Sequence, residues 1–146
     1  MNALKTLTII FNLVIIVGAG HGGGPLGIFE LMSLSELLFG DFQSTISGHY
    51  EERLMAVGLI SLIGQAVLIC SYFFEKQMKS ALSISGCFML LTTTCILTKD
   101  AWSMSTNIFS LETFSLFFSL PFMLTAVMLL TREIRGLKTV TSDENT

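Results

Sequence analysis

The chain has 146 residues, of which 51% are hydrophobic and 13% charged, and its formal net charge is −3. Soluble domains carry about 25% charged residues, so this composition excludes an ordinary soluble domain, and the slight acidity excludes a basic nucleic-acid surface. The mean hydropathy of +0.71 points the same way, with the charges gathered between apolar runs rather than along one face of each.

Four apolar runs, roughly 4–20, 54–74, 81–98 and 111–131, organise the sequence. A bilayer core about 30 Å thick needs about 20 helical residues, and the runs meet or approach that length. The expected fold is all-α: a polytopic membrane protein built as a four-transmembrane-helix bundle. One membrane domain is expected over 1–136, with a disordered, acidic cytoplasmic tail over 137–146.

In the first run, Lys5 precedes an apolar stretch that carries Asn12 near its middle. Val17-Gly18-Ala19 resembles a signal-peptide cleavage site, and cleavage there would leave three spans. Asn12 and the glycines that follow argue against it. Gly22, Gly23, Gly24 and Pro25 mark a helix break, since glycine continues a helix poorly and proline is accepted in the first turn of a new one. Residues 26–39 then read as a short amphipathic helix on the outer face, interfacial or re-entrant, with Glu30, Ser33 and Glu36 on one side.

A polar connection over 40–50 leads through Glu51, Glu52 and Arg53 into the second run. Residues 75–79 form a tight hairpin to the third. Trp102, in the next loop, and Tyr72 are the residue types that anchor at headgroup level. Ser110 is a candidate N-cap for the fourth run, Glu112 lies in its first turn, and Pro121 should kink it.

Basic residues orient the chain. With the N-terminus in the cytoplasm, Lys5, Lys76, Lys79, Arg132, Arg135 and Lys138 are inside, and only Arg53 and Lys99 are outside. Both termini are therefore expected in the cytoplasm, in a bacterial inner membrane or its eukaryotic equivalent.

Helices in lipid associate through small and hydroxyl residues. The expected inward stripes are Thr8, Asn12 and Ala19; Gly58, Ser61 and Gln65; Ala81, Ser85, Thr92 and Cys95; and Glu112, Ser115 and Ser119. Asn12 and Gln65, both near mid-depth, are expected to pair. No acidic or basic residue falls near the centre of any of the four runs, which counts against active transport.

Candidate chemistry is sparse. His21-Gly22-Gly23-Gly24 matches the oxyanion loop of lipases, but that loop needs a G-x-S-x-G nucleophile elbow, and none occurs. Topology brings His21, Glu30, His49 and Glu52 to the outer side, where histidine plus carboxylate suits zinc or non-haem iron, although no standard ligand spacing is present. His21 and His49 are also the only pair available for haem. No cofactor is predicted beyond these options. Cys70, Cys87 and Cys95 form no disulfide framework. The expected function is a non-enzymatic accessory or scaffold subunit of a membrane complex. Its partners would be lipids and another membrane protein or further copies of itself. The alternatives are an oligomeric channel or small transporter with a pore between copies, lined by Ser115, Ser119 and Thr92, and a redox protein using the outer-face residues.

Overall fold

Among the described residues, five helices and one short hairpin follow from the apolar runs and their breaks. A computed structural model describes residues 2–19, 22–40, 46, 49–99 and 111–143. The element order is α1 (Asn2–Leu13), β1 (Ile16–Ala19), β2 (Gly22–Pro25), α2 (Leu26–Phe39), α3 (Tyr50–Cys70), α4 (Lys76–Leu97) and α5 (Leu111–Asp143).

Three helices are long and apolar enough to cross a membrane, through the windows Glu52–Cys70, Met78–Leu97 and Thr113–Gly136. The first apolar run does not make a fourth continuous helix. α1 stops at Leu13 after 12 residues, and Ile16–Ala19 turns into a strand. The sequence supplies the reason. Gly18, Gly22, Gly23 and Gly24 are poor helix formers, whereas an antiparallel hairpin satisfies the same backbone groups across its two strands. The register pairs Ile16 with Pro25, Val17 with Gly24, Gly18 with Gly23 and Ala19 with Gly22. The Leu26 amide then donates to the Ile15 carbonyl at 2.8 Å, tying the start of α2 to the end of α1.

α2 does not lie across the end of the helices, as an outer amphipathic helix would. Its buried residues Leu26, Glu30 and Ser33 face α3, and Ser33 Oγ lies 3.6 Å from Met55 Sδ. Along α1, from Lys5 to Asn12, the partners on α3 move from Ser71 to Gln65 and Ser61. Along α2, from Glu30 to Ser33, they move on from Gln65 and Ser61 to Met55. The two short helices thus follow one another along α3, both antiparallel to it.

α3 and α4 form an antiparallel pair, joined where Gly64 meets Gly86. α4 and α5 are antiparallel too. Cys87 Sγ donates to the Ala126 carbonyl at 3.3 Å, and Ser80 Oγ donates to Glu133 Oε2 at 2.8 Å. The apolar core includes Ile15, Val17, Leu68, Leu90, Phe122 and Leu129. Pro121 stands inside α5, exposed, without ending the helix. It leaves the Phe117 carbonyl without its amide partner. α5 also runs on through Asp143, beyond the boundary expected at residue 137. No proline follows Pro121 to stop it.

The inward face of α4 differs from expectation. Ala81, Ser85, Thr92 and Cys95 are exposed, and the buried stripe is Ser80, Ser83, Cys87, Leu90, Thr94 and Leu97. The glycine contact fixes the rotation of α4. Thr92 tolerates the outside because its hydroxyl donates to its own helix, at the Phe88 carbonyl, 2.9 Å away.

A methyl group at Gly86 would sit 2.8 Å from the Gly64 carbonyl oxygen and 3.0 Å from the Leu68 amide nitrogen, both backbone atoms. Gly86→Ala is therefore expected to destabilise the folded protein by about 1–3 kcal/mol, the usual range for overpacking. A methyl at Gly136 meets nothing within 4 Å. Gly136→Ala is expected to be neutral or stabilising by up to about 1 kcal/mol. Thermal unfolding of the two variants in detergent checks the contrast; equal melting temperatures would refute it.

Candidate functional site

The break between α1 and α2 is where the polar side chains converge. α1 contributes Asn12, α2 contributes Glu30, and α3 contributes Ser61 and Gln65 from adjacent turns of one face. Gln65 Nε2 donates to Asn12 Oδ1 at 2.7 Å and to Glu30 Oε1 at 2.8 Å. Ser61 Oγ lies 2.7 Å from Asn12 Oδ1 and 2.6 Å from Glu30 Oε1. The four groups close a ring in which each touches two others. Asn12 is fully buried and Glu30 is 2% exposed. Asn12 Nδ2 has no hydrogen-bond partner among the described residues.

Gly58 lets α2 come close enough for this. A methyl there would sit 2.5 Å from Ser33 Oγ and 2.7 Å from the Phe29 carbonyl oxygen. The Ser33 hydroxyl donates to that same carbonyl at 2.6 Å, so it is satisfied within α2.

A second polar cluster lies one end away. Lys5, fully buried, donates to Ser71 Oγ at 2.9 Å and to Ser83 Oγ, and it faces Glu133 Oε1 at 3.6 Å. Ser71 and Ser83 give their own hydrogens to the Leu68 and Lys79 carbonyls, which leaves their lone pairs free for the ammonium. The Tyr72 ring lies 5.7 Å from Lys5 Nζ. Its hydroxyl is 3.1 Å from Thr6 Oγ1. At the opposite end Arg53, also fully buried, donates from Nη1 to the Ile96 carbonyl at 2.9 Å, near the C-terminus of α4. A cation is favoured there by the helix dipole.

The residues grouped as possible metal ligands do not come together. Glu30 sits beside Ser61 and Gln65, nine residues along α3 from Glu52, which is about 13 Å at 1.5 Å per residue. Its expected place on the outer face is therefore corrected to the interior. The cause is the hairpin, which aligns α2 with α3 instead of laying it across the helix ends. His49 and Glu52 serve the start of α3, where the His49 amide donates to Glu52 Oε2 at 3.2 Å. His21 lies outside the described residues, as do Trp102, Ser110 and the Glu112 side chain. Among the described residues no three of His, Cys, Asp and Glu are placed to hold a metal ion.

Ser115 and Ser119 are buried within the chain, not on a surface where copies would meet. Ser115 Oγ is 2.7 Å from Tyr50 Oη, and Ser119 Oγ donates to the Leu116 carbonyl at 2.7 Å. Sequence reasoning missed four buried ionisable residues: Glu30 at the break, Arg53, and the Lys5–Glu133 pair. The signal for the pair was present. Continued in steps of three and four, the stripe through Ser115 and Ser119 passes Phe122, Ala126 and Leu129 and reaches Glu133; Lys5, Thr8 and Asn12 likewise share one face.

The fold is consistent with an integral membrane protein, three of whose helices are fit to cross a bilayer. No protein-family model matches the chain, and no curated protein or solved structure matches it.

Removing one member of a buried ion pair strands the other, at about 3–5 kcal/mol, whereas replacing both by apolar residues is often neutral. Lys5→Met alone is therefore expected to cost far more stability than Lys5→Met combined with Glu133→Leu costs relative to Glu133→Leu. A double-mutant cycle read by thermal unfolding in detergent measures this. A coupling energy near zero would show that the pair contributes nothing.

Proposed function

We propose that the chain is a small four-pass integral membrane protein with one broken pass, and that the ring at the break binds a small polar solute or ion for transport. The observation that carries this reading is a carboxyl group, Glu30, buried against Asn12, Ser61 and Gln65 where α1 gives way to α2.

Length supports the broken pass. α1 and α2, with 12 and 14 residues, are about 18 and 21 Å long, each short of the membrane core but together sufficient for it. Irregular backbone is tolerated at membrane depth where it is paired internally and covered by protein. The hairpin pairs its own strands; Ile15, Val17 and Gly18 are buried, while Gly23 and Pro25 of β2 face outward. With this pass counted, both termini lie on one side, together with Lys5, Lys79, Arg132 and Arg135, and that side is the cytoplasm by the positive-inside rule.

Discontinuous membrane helices place free backbone and polar side chains at mid-depth, where substrates and coupling ions are held. An ionisable residue at such a depth is expensive, and its default explanation is function. The accessory-subunit reading rested on the absence of a soluble domain, of a catalytic motif and of a central charge, and the last of these no longer supports it. Glu30 at the depth of Ser61 and Gln65 shifts that support to transport. The solute site would lie within one chain, since Ser115 and Ser119 point inward.

Protease-accessible tags at the two ends of the chain test the pass count in sealed inside-out and right-side-out vesicles. Both tags should be cleaved from the same side; cleavage from opposite sides would leave only three passes. The site is tested by thermal unfolding of the detergent-purified protein against a panel of small polar solutes and monovalent cations. A ligand at a hundred times its dissociation constant stabilises by about 2.7 kcal/mol. At least one compound should raise the melting temperature of the native chain but not of Gln65→Leu. A flat response across the panel, with a second membrane protein co-purifying in stoichiometric amount, would return the reading to an accessory subunit.

A further inference from the structure

The ring has four contacts and, with Glu30 ionised, only three hydrogens to fill them. Gln65 supplies two N–H hydrogens and Ser61 one O–H, while Asn12 Oδ1 and Glu30 Oε1 only accept. One of the Ser61 contacts, at 2.7 or 2.6 Å, then holds two oxygens together with nothing between them. Exchanging the oxygen and nitrogen of both amides does not help. Asn12 then supplies two hydrogens and Ser61 one, and the Gln65–Glu30 contact is left without any. Exchanging only one amide sets donor against donor or acceptor against acceptor between Asn12 and Gln65. In each consistent arrangement the fourth hydrogen belongs on Glu30.

We propose that the ring is a proton-binding site, with Glu30 carrying an exchangeable proton inside the membrane. This rests on the transport reading for its purpose, but not for its chemistry. A calcium-sized ion fits the ring less well. Oxygen ligands at about 2.3–2.6 Å from a calcium-sized ion, set at the corners of a square, stand about 3.3–3.7 Å apart. The four edges here are 2.6–2.8 Å, which are hydrogen-bond lengths.

Loss of the proton has a mechanical consequence. With three hydrogens left, Ser61 can hold Asn12 or Glu30 but not both, so one of the two short helices loses a tie to α3. Protonation at Glu30 thereby couples to the join between α1 and α2. Few charges compete for control of this group. On the elements packed around it, the described charged residues are Lys5 on α1, Glu36 on α2, and Glu52 and Arg53 on α3. Each is six or more residues from its ring position, about 9 Å or more along its helix. On α4 and α5 the described charges are Lys79, Arg132, Glu133 and Arg135, gathered near Lys5, with Lys99 just past the far end of α4.

Infrared difference spectroscopy of the full chain in lipid vesicles tests the proposal without any solute. The native protein should show a protonated-carboxyl C=O band that shifts in D2O and is missing from Glu30→Gln. With the Asn12 and Gln65 amides both turned over, the glutamine Nε2 donates to Ser61 Oγ and Gln65 Oε1 and the Asn12 Nδ2 fills the other two contacts, so that variant should also keep a native melting temperature. Ser61→Ala, which keeps the carboxyl but removes one partner, should move the band rather than abolish it, and it serves if Glu30→Gln does not fold. A carboxylate band assigned to Glu30 in place of the C=O band would overturn the proposal, as would a C=O band that never shifts in D2O. A negative solute panel with the exchangeable band intact would count against the transport reading alone.

Discussion

Backbone amides and carbonyls inside a bilayer must find partners within the protein, because the lipid offers none. A run of apolar residues normally meets this demand by staying helical. Here the first run contains a glycine-rich stretch that does not. The chain answers with a hairpin whose strands pair with each other, and with a second helix that resumes beside the first. The rest of the structure follows from that substitution. It needs α3 to hold both half-helices, Gly58 to let α2 approach, and a set of side chains at the join that ties α1, α2 and α3 together.

The ends of the assembly are held by charges that the apolar composition conceals. Lys5 reaches α3, α4 and α5 through Ser71, Ser83 and Glu133. Arg53 closes the other end against the last turn of α4. An uncompensated ion in this environment would change its protonation or leave it. Each of these has neutral or charged oxygens around it: the Lys5 ammonium donates to the Ser71 and Ser83 hydroxyls and faces the Glu133 carboxylate as an ion pair at 3.6 Å. The polar atoms of this protein thus lie in layers: a basic end with its acidic partner, a neutral-amide and carboxyl centre, and a second basic end.

Much of this was legible in the sequence, by periodicity. Three spanning helices are apparent from run length alone. Asn12 and Gln65 can be matched as partners because each is the costliest polar group near the middle of its run. The inward faces of α3 and α5 follow from the 3/4 spacing of Gly58, Ser61 and Gln65 and of Ser115 and Ser119. The face of α4 was not legible, because hydroxyl residues occur all round that helix and their cost is cancelled locally by bonds to its own carbonyls. The depth of Glu30 was hidden for a different reason. Local pattern sees a short helix after a break, and a short helix fits the membrane surface as well as the interior. Only the strand register, with Ile16 opposite Pro25, returns the chain to where α1 left off and puts Glu30 next to Asn12.

For the central ring, the choice between glue and the proposed function turns on the carboxyl. Interhelical glue needs complementary donors and acceptors, and an amide in place of Glu30 would supply them with no ionisable group to desolvate. Glutamine has nearly the shape of glutamic acid and, with the Asn12 and Gln65 amides both turned over, completes the ring without a titratable proton. A carboxyl therefore adds one capacity that the join itself does not require, the ability to lose a hydrogen. Its loss would fall on the contacts that tie α1 and α2 to α3, where an unbroken helix would have continuous backbone and nothing to release. On the proposed reading the break and the carboxyl belong together: one supplies a joint between α1 and α2, and the other a way to open it.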